Sequence, residues 1–430
     1  MIAAWRKGSG VDAVSTPEEM TPHVVVASPH AGIGFREFVG MIAAMMAMMA
    51  LGIDTMLPAL PAIGHSLGVA DENERQWIIT SFVLGFGVAM IIYGPLSDRY
   101  GRKALMLGGM VGYAICCVGI AFAPSFAVLL TLRVLQGASI AATRVVATSM
   151  VRDCYGGRQM ARVMSLAMMI FLAVPVLAPS IGQLIMLVFP WRGLFLALAA
   201  FAVVVFIWVG LRLPETLHPD FRRPIAARSI LVGFWTALTT RQAGGYMIVQ
   251  ALLQGSLLGF ISSIEQVFAD IFHAPKLMPP VFAVIAGAMG VASLINSRLV
   301  ERLGTRRLGH AAIVGMTVAE IIHLLVVLGG GESIWTFGAF QAIALFCFGL
   351  SMGNFSAIAM EPLASLAGTA ASVQGFVMMV GGSILGTLIG QQFDGTTLPM
   401  TAGFAITGSL GILVILWTER GRMFHPQMGG

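Results

Sequence analysis

At 430 residues, with 57% hydrophobic and only 10% charged residues, the chain is too apolar for soluble domains, where about a quarter of residues are charged. The formal net charge of +5 and the pI near 9.3 do not imply nucleic acid, because no nucleic-acid motif is present and the basic residues fall between apolar runs. Four cysteines (Cys116, Cys117, Cys154, Cys347) show no Cys-x-x-Cys spacing and three lie in apolar runs, so neither a zinc site nor a disulfide framework is indicated.

Residues 1–36 are polar and read as a cytoplasmic tail with no cleavable signal. Twelve candidate spans follow, near 37–62, 76–96, 104–123, 126–150, 161–188, 191–211, 242–268, 278–300, 308–329, 334–358, 366–391 and 399–418. Each approaches the ~20 residues that cross about 30 Å of hydrocarbon. Placing both termini inside puts 20 of the 25 Lys and Arg on the cytoplasmic side and leaves the outer loops only Arg75, Arg192 and Lys276. The longest polar interruption, 212–241, reads as a cytoplasmic linker between a bundle at 37–211 and another at 242–418, with a tail at 419–430. The expected fold is therefore an all-α membrane protein of twelve transmembrane helices in two pseudo-symmetric six-helix bundles.

The most ordered short stretch is Gly94-Pro95-Leu96-Ser97-Asp98-Arg99-Tyr100-Gly101-Arg102-Lys103, between the second and third spans. Gly94 allows close helix approach, Pro95 loosens the span end and Gly101 supplies a permissive turn. Asp98 and Arg102, four apart, are placed to pair, leaving Arg99 and Lys103 for lipid phosphates. Asp98-Arg99-Tyr100-Gly101 recurs 203 residues later as Glu301-Arg302-Leu303-Gly304, again after the second span of its half.

Asp54 lies well inside the first span, before Pro58 and Pro61, where an ionisable group is by default functional; a capping role at a helix break is the alternative. Arg133, at a similar estimated depth in the fourth span, is its expected partner. Arg144 lies eleven residues further on the same face, either as a second cavity charge or snorkelling to the interface. Pro175, Pro179 and Gly182 on one face of the fifth span predict a bent helix with a closely packed neighbour. Glu265 in the seventh span is either a cavity acid or a solvated group near the outer end. Glu320 and His323 are spaced to satisfy each other. Gly349-Leu350-Ser351-Met352-Gly353 fits a hydrolase elbow but lies in a span with no strand before it.

The hairpin string closely resembles the loop between spans two and three of the major facilitator superfamily. Arg133-Val134-Leu135-Gln136-Gly137 is similar to that superfamily's span-four motif. Leu213-Pro214-Glu215-Thr216-Leu217, Asn296-Ser297-Arg298-Leu299-Val300 and Gly368-Thr369-Ala370-Ala371-Ser372 resemble the Bcr/CflA drug-resistance branch. Ala178-Pro179-Ser180-Ile181-Gly182-Gln183 resembles the antiporter signature Gly-Pro-x-x-Gly-Gly with two positions altered, and Glu265 stands where the branch usually has proline.

The resemblance implies a drug:proton antiporter of the bacterial cytoplasmic membrane, with proton and substrate coupling at Asp54, Arg133 and Glu265. Conformational gating is expected at Gly94, Asp98, Arg99, Gly101, Arg102, Lys103, Pro175, Pro179 and Gly182. Its expected partners are a small-molecule substrate, protons and membrane lipids. It is expected to act as a monomer, without cofactor or metal, and with no P-loop for ATP. Proton-coupled uptake of a small metabolite is the alternative; a membrane enzyme or a sensor fits less well, since neither a catalytic cluster nor a signalling domain is evident.

Overall fold

The structure, a computed structural model, describes residues 33–217 and 227–424. Most of the expected tails and part of the expected linker lie outside these. Among the described residues there is no strand, and twelve helices are long and apolar enough to cross a membrane. They are span 1 (Phe35–Ser66), span 2 (Glu72–Tyr100), span 3 (Arg102–Ala121), span 4 (Phe126–Cys154), span 5 (Arg162–Val188) and span 6 (Trp191–Arg212). The second set is span 7 (Arg241–Ile271), span 8 (Pro275–Leu303), span 9 (Thr305–Leu328), span 10 (Ile334–Leu363), span 11 (Gly368–Gly390) and span 12 (Leu398–Thr418).

The packing repeats with a period of six spans. Span 2 packs on span 4, span 3 on spans 4 and 6, and span 1 on span 5; correspondingly span 8 packs on span 10, span 9 on spans 10 and 12, and span 7 on span 11. The halves meet through span 2 on span 11 and span 5 on span 8, a pair of contacts that exchange under the same relation. Glycine turns mark the echo: Gly101 ends span 2 at φ 99° and Gly304 ends span 8 at φ 79°, both in the left-handed region that disfavours side chains.

We call the end holding Gly101, Gly304 and the 213–217 segment the linker face, and the opposite end the far face. The interruption between the halves is more structured than its polarity implies. Ala227–Thr239 forms a helix that packs on spans 7 and 11, with Phe234 edge-on to Phe376 at 5.9 Å. Its apolar core, Leu231 to Trp235, lies between polar flanks that dominate the composition of the stretch.

Candidate functional site

The hairpin charges at the linker face are partly internal. Arg102 is buried, and its guanidinium meets Asp98 at 2.7 Å and Asp153, near the end of span 4, at 3.0 Å. The Glu215 carboxylate accepts the backbone N–H groups of Arg102 (2.9 Å) and Lys103 (3.1 Å), capping the N-terminus of span 3, where orphan donors and the helix dipole favour an anion. Arg99 is exposed, stacked over Tyr100. Gly94 faces Ser372 of span 11 across the halves.

The second half repeats this chemistry with residues that span-end charge alone did not single out. Arg306 donates to Glu361 at the end of span 10 (2.9 Å) and to Glu419 after span 12 (3.1 Å). Tyr246 donates to the same Glu419 at 2.7 Å and lies 2.7 Å from His310 Nε2. His310 Nδ1 accepts the Phe424 N–H, so Nε2 carries the proton and donates to Tyr246. Both clusters stay within their own half.

Asp54 is the last residue of the helix Phe35–Asp54; the chain then tightens through Leu57–Ala59 before the helix resumes at Leu60. The residue is only 4% exposed, and its carboxylate makes no hydrogen bond or ion pair with a described residue. The carboxylate accepts no backbone N–H of a described residue, so it caps neither the helix that ends here nor the one that resumes at Leu60. Span 5 presses on this break: a Cβ on Gly182 would lie 1.9 Å from the Thr55 carbonyl oxygen, so only glycine admits this approach. The helix of span 5 runs unbroken through Pro175 and Pro179, and Pro179 is buried.

Arg133 is fully buried and does not pair with Asp54 here. Its Nε donates to the Ile78 carbonyl (2.9 Å), and its Nη1 to the Gly52 carbonyl (3.1 Å) and Gln136 (2.6 Å). Its guanidinium covers the Phe82 ring at 4.4 Å, and Nη2 has no partner. The depth estimate holds in one respect: Gly52 is two residues from Asp54. The spans cross closely around this arginine, with a Cβ on Gly137 falling 1.9 Å from the Phe82 carbonyl and one on Gly85 2.0 Å from that of Val134.

At the far face the halves are tied by neutral groups. Gln76 donates to Gln266 (2.6 Å) and to the Gly390 carbonyl (3.0 Å), Gln266 donates to Asn73 (2.8 Å), and Gln391 donates to the Asn73 carbonyl (2.7 Å). Thr80 and Thr387 share a hydrogen bond of 3.0 Å. Glu265, next to Gln266 of this closure, is buried and unbonded among the described residues, and the charges near enough to act on it are Arg75, Asp270 and Glu72. Glu320 and His323 contact each other at 3.4 Å as their spacing predicts, and Glu332 closes on the other ring nitrogen at 3.3 Å.

On the linker face a cavity of about 660 Å³ opens between the halves. Its wall includes Met90, Gly94, Asp98 and Arg144 from the first half and Thr369, Ser372 and Val373 from span 11. Among the described residues no group of His, Cys, Asp and Glu is arranged to hold a metal ion.

Two pseudo-symmetric six-span bundles, closed at one face and hollow at the other around buried charges, define a secondary-transporter architecture. Residues 40–387 match the Major Facilitator Superfamily, and the chain belongs to that family. It is 28% identical over 355 residues to the bicyclomycin resistance protein homolog of Haemophilus influenzae (81% of this chain, 87% of that one). It is 27% identical over 366 residues to multidrug resistance protein D of Escherichia coli (84% and 87%). Among solved structures, the human organic anion transporter MFSD10 aligns with a TM-score of 0.67 at 17% identity (90% and 100%), and a D-xylose-proton symporter with 0.68 at 13% (91% and 98%). These two establish the fold alone.

Proposed function

We propose that the chain exports drugs or other small amphipathic molecules across the bacterial cytoplasmic membrane, driven by protons and working by alternating access. The resistance proteins among its relatives support the substrate class. The observation that carries proton coupling is Asp54, a buried carboxylate without a partner at the break in span 1. An uncompensated buried charge is costly, so this acid has reason to take up a proton. Arg133 holds the backbone two residues away and keeps Nη2 free, offering the ionised carboxylate a partner in another state.

With both termini and the 212–241 linker in the cytoplasm, as the basic bias implies, the linker-face cavity faces the cytoplasm and substrate enters there. The units are then a bundle at 37–211 and one at 242–418, rocking as bodies held by the Arg102 and Arg306 clusters. Glu265, beside the outer closure, serves as a second proton or cation site on the outward path. The test is uptake of a compound panel into everted vesicles, with and without a proton uncoupler. Uncoupler-sensitive accumulation is expected; accumulation indifferent to the uncoupler removes proton coupling, and none at all removes the exporter reading.

A further inference from the structure

The buried arginines Arg102, Arg133 and Arg306 are supplied with oxygen acceptors, whereas the Arg144 side chain, inside span 4, has none among the described residues. Arg102 has Asp98 and Asp153, Arg306 has Glu361 and Glu419, and Arg133 has two carbonyls and Gln136. The side chain of Arg144, in the linker-face half of span 4, makes no hydrogen bond or ion pair with a described residue, and its Nη1 is buried without a partner. Its guanidinium rests on the Phe171 ring of span 5 at 5.2 Å, which holds it away from the membrane interface it would otherwise seek.

The group lines the linker-face cavity. Arg152, on the same wall and eight residues along the helix, lies about two turns further towards the rim and is likewise without an acid among the described residues. The one carboxylate on that wall, Asp98, is already bonded to Arg102. Hydroxyls of Thr148, Ser149, Thr369 and Ser372 complete the polar lining, and Met90, Ile91, Val145 and Val373 supply the apolar part. A volume near 660 Å³ is in the range of small-molecule sites.

We propose that the cavity selects amphipathic anions, with the acidic group of the substrate held on Arg144 and its apolar body against the methionine and aliphatic wall. This deepens the exporter reading and rests on it for the word substrate, although the binding claim stands on the cavity. A planar guanidinium with free N–H groups takes a carboxylate, sulfonate or phosphonate in paired hydrogen bonds. Arg152 draws the anion inward, and the hydroxyls donate to its oxygens.

The probes are anilinonaphthalene sulfonate and its uncharged parent phenylnaphthylamine, titrated by fluorescence against the full chain in phosphatidylcholine nanodiscs, with empty discs subtracted. Arg144→Gln should weaken sulfonate binding by about tenfold or more, the usual scale for a charge-assisted bond, and leave the neutral dye within about twofold. Arg144→Lys should fall between, keeping the charge but not the fork. Wild type failing to bind the sulfonate, an unchanged ratio of the two dyes in Arg144→Gln, or equal loss of both dyes overturns the proposal. Displacement of the sulfonate by phosphatidylglycerol in the discs, with no competition from free acidic amphipaths, would also overturn it by assigning the site to a lipid headgroup. Export decides separately: neutral compounds still exported by Arg144→Gln leave the exporter standing whatever the dyes report, and a wild type without export leaves the dye ratio to judge Arg144.

Discussion

At the scale of single residues the proposed proton coupling rests on Asp54, a buried acid that makes no hydrogen bond or ion pair with a described residue. Most buried polar groups have partners; this one has none among the described residues and sits where a helix dipole opposes its charge. Asp54→Asn should therefore leave folding intact, with a Tm equal to or above wild type, while abolishing proton-driven export and preserving part of substrate binding. Substrate-induced proton release from purified protein checks it: release equal to wild type would pass the role to Glu265. The acid itself was legible, since a lone charge in a run of Ala, Met and Leu announces itself. The bonding of Arg133 was not, because backbone carbonyls leave no mark in a sequence. Arg306, Glu361 and Glu419 were hidden for another reason: charges at span ends look alike whether they face lipid phosphates or one another.

At the scale of elements, spans were legible because most are apolar runs bounded by charge, with Pro124-Ser125 dividing spans 3 and 4, and Pro58 and Pro61 marked the break in span 1. The helix Ala227–Thr239 was not, since a short amphipathic segment among arginines and prolines resembles a loop until it finds spans 7 and 11 to lie against. The contact most exposed to test is that of span 5 on span 1. Gly182→Ala would put a methyl 1.9 Å from the Thr55 carbonyl, backbone against backbone, so the helices must separate beside Asp54. Overpacking of this kind costs about 1–3 kcal/mol, and a lowered Tm with slowed export is expected. Gly287→Ala in span 8, with open space around it, is the matched control and should behave as wild type. Equal Tm and export in both variants would mean the two spans are not held at this distance during transport.

For the whole molecule, the distribution of bond types tells which contacts break. The charged clusters of Arg102 and Arg306 are internal to their halves, whereas the far-face bonds between halves join neutral Asn, Gln and Thr side chains and carbonyls. A neutral hydrogen bond contributes about 1 kcal/mol net, while bonds to charged groups reach about 1.5–3 kcal/mol. Under the proposed alternating access, rocking would open the weaker seam and leave each bundle intact. Neutral amides give no signal in a sequence dominated by charge placement, which is why this closure could be found only in three dimensions. If the halves part at the far face in every cycle, tying that face must stop transport. Asn73 and Gln391 exchange two hydrogen bonds across the seam, at 3.4 Å and 2.7 Å, so Asn73→Cys with Gln391→Cys places two thiols at the junction. Of the four native cysteines, Cys116, Cys117 and Cys154 are buried. Oxidation should form the new disulfide in the resting protein, arrest export in everted vesicles and leave substrate binding at the linker face in place. Reductant should restore export. Full activity in a quantitatively cross-linked sample would show that the far face need not open, and would remove alternating access through this seam.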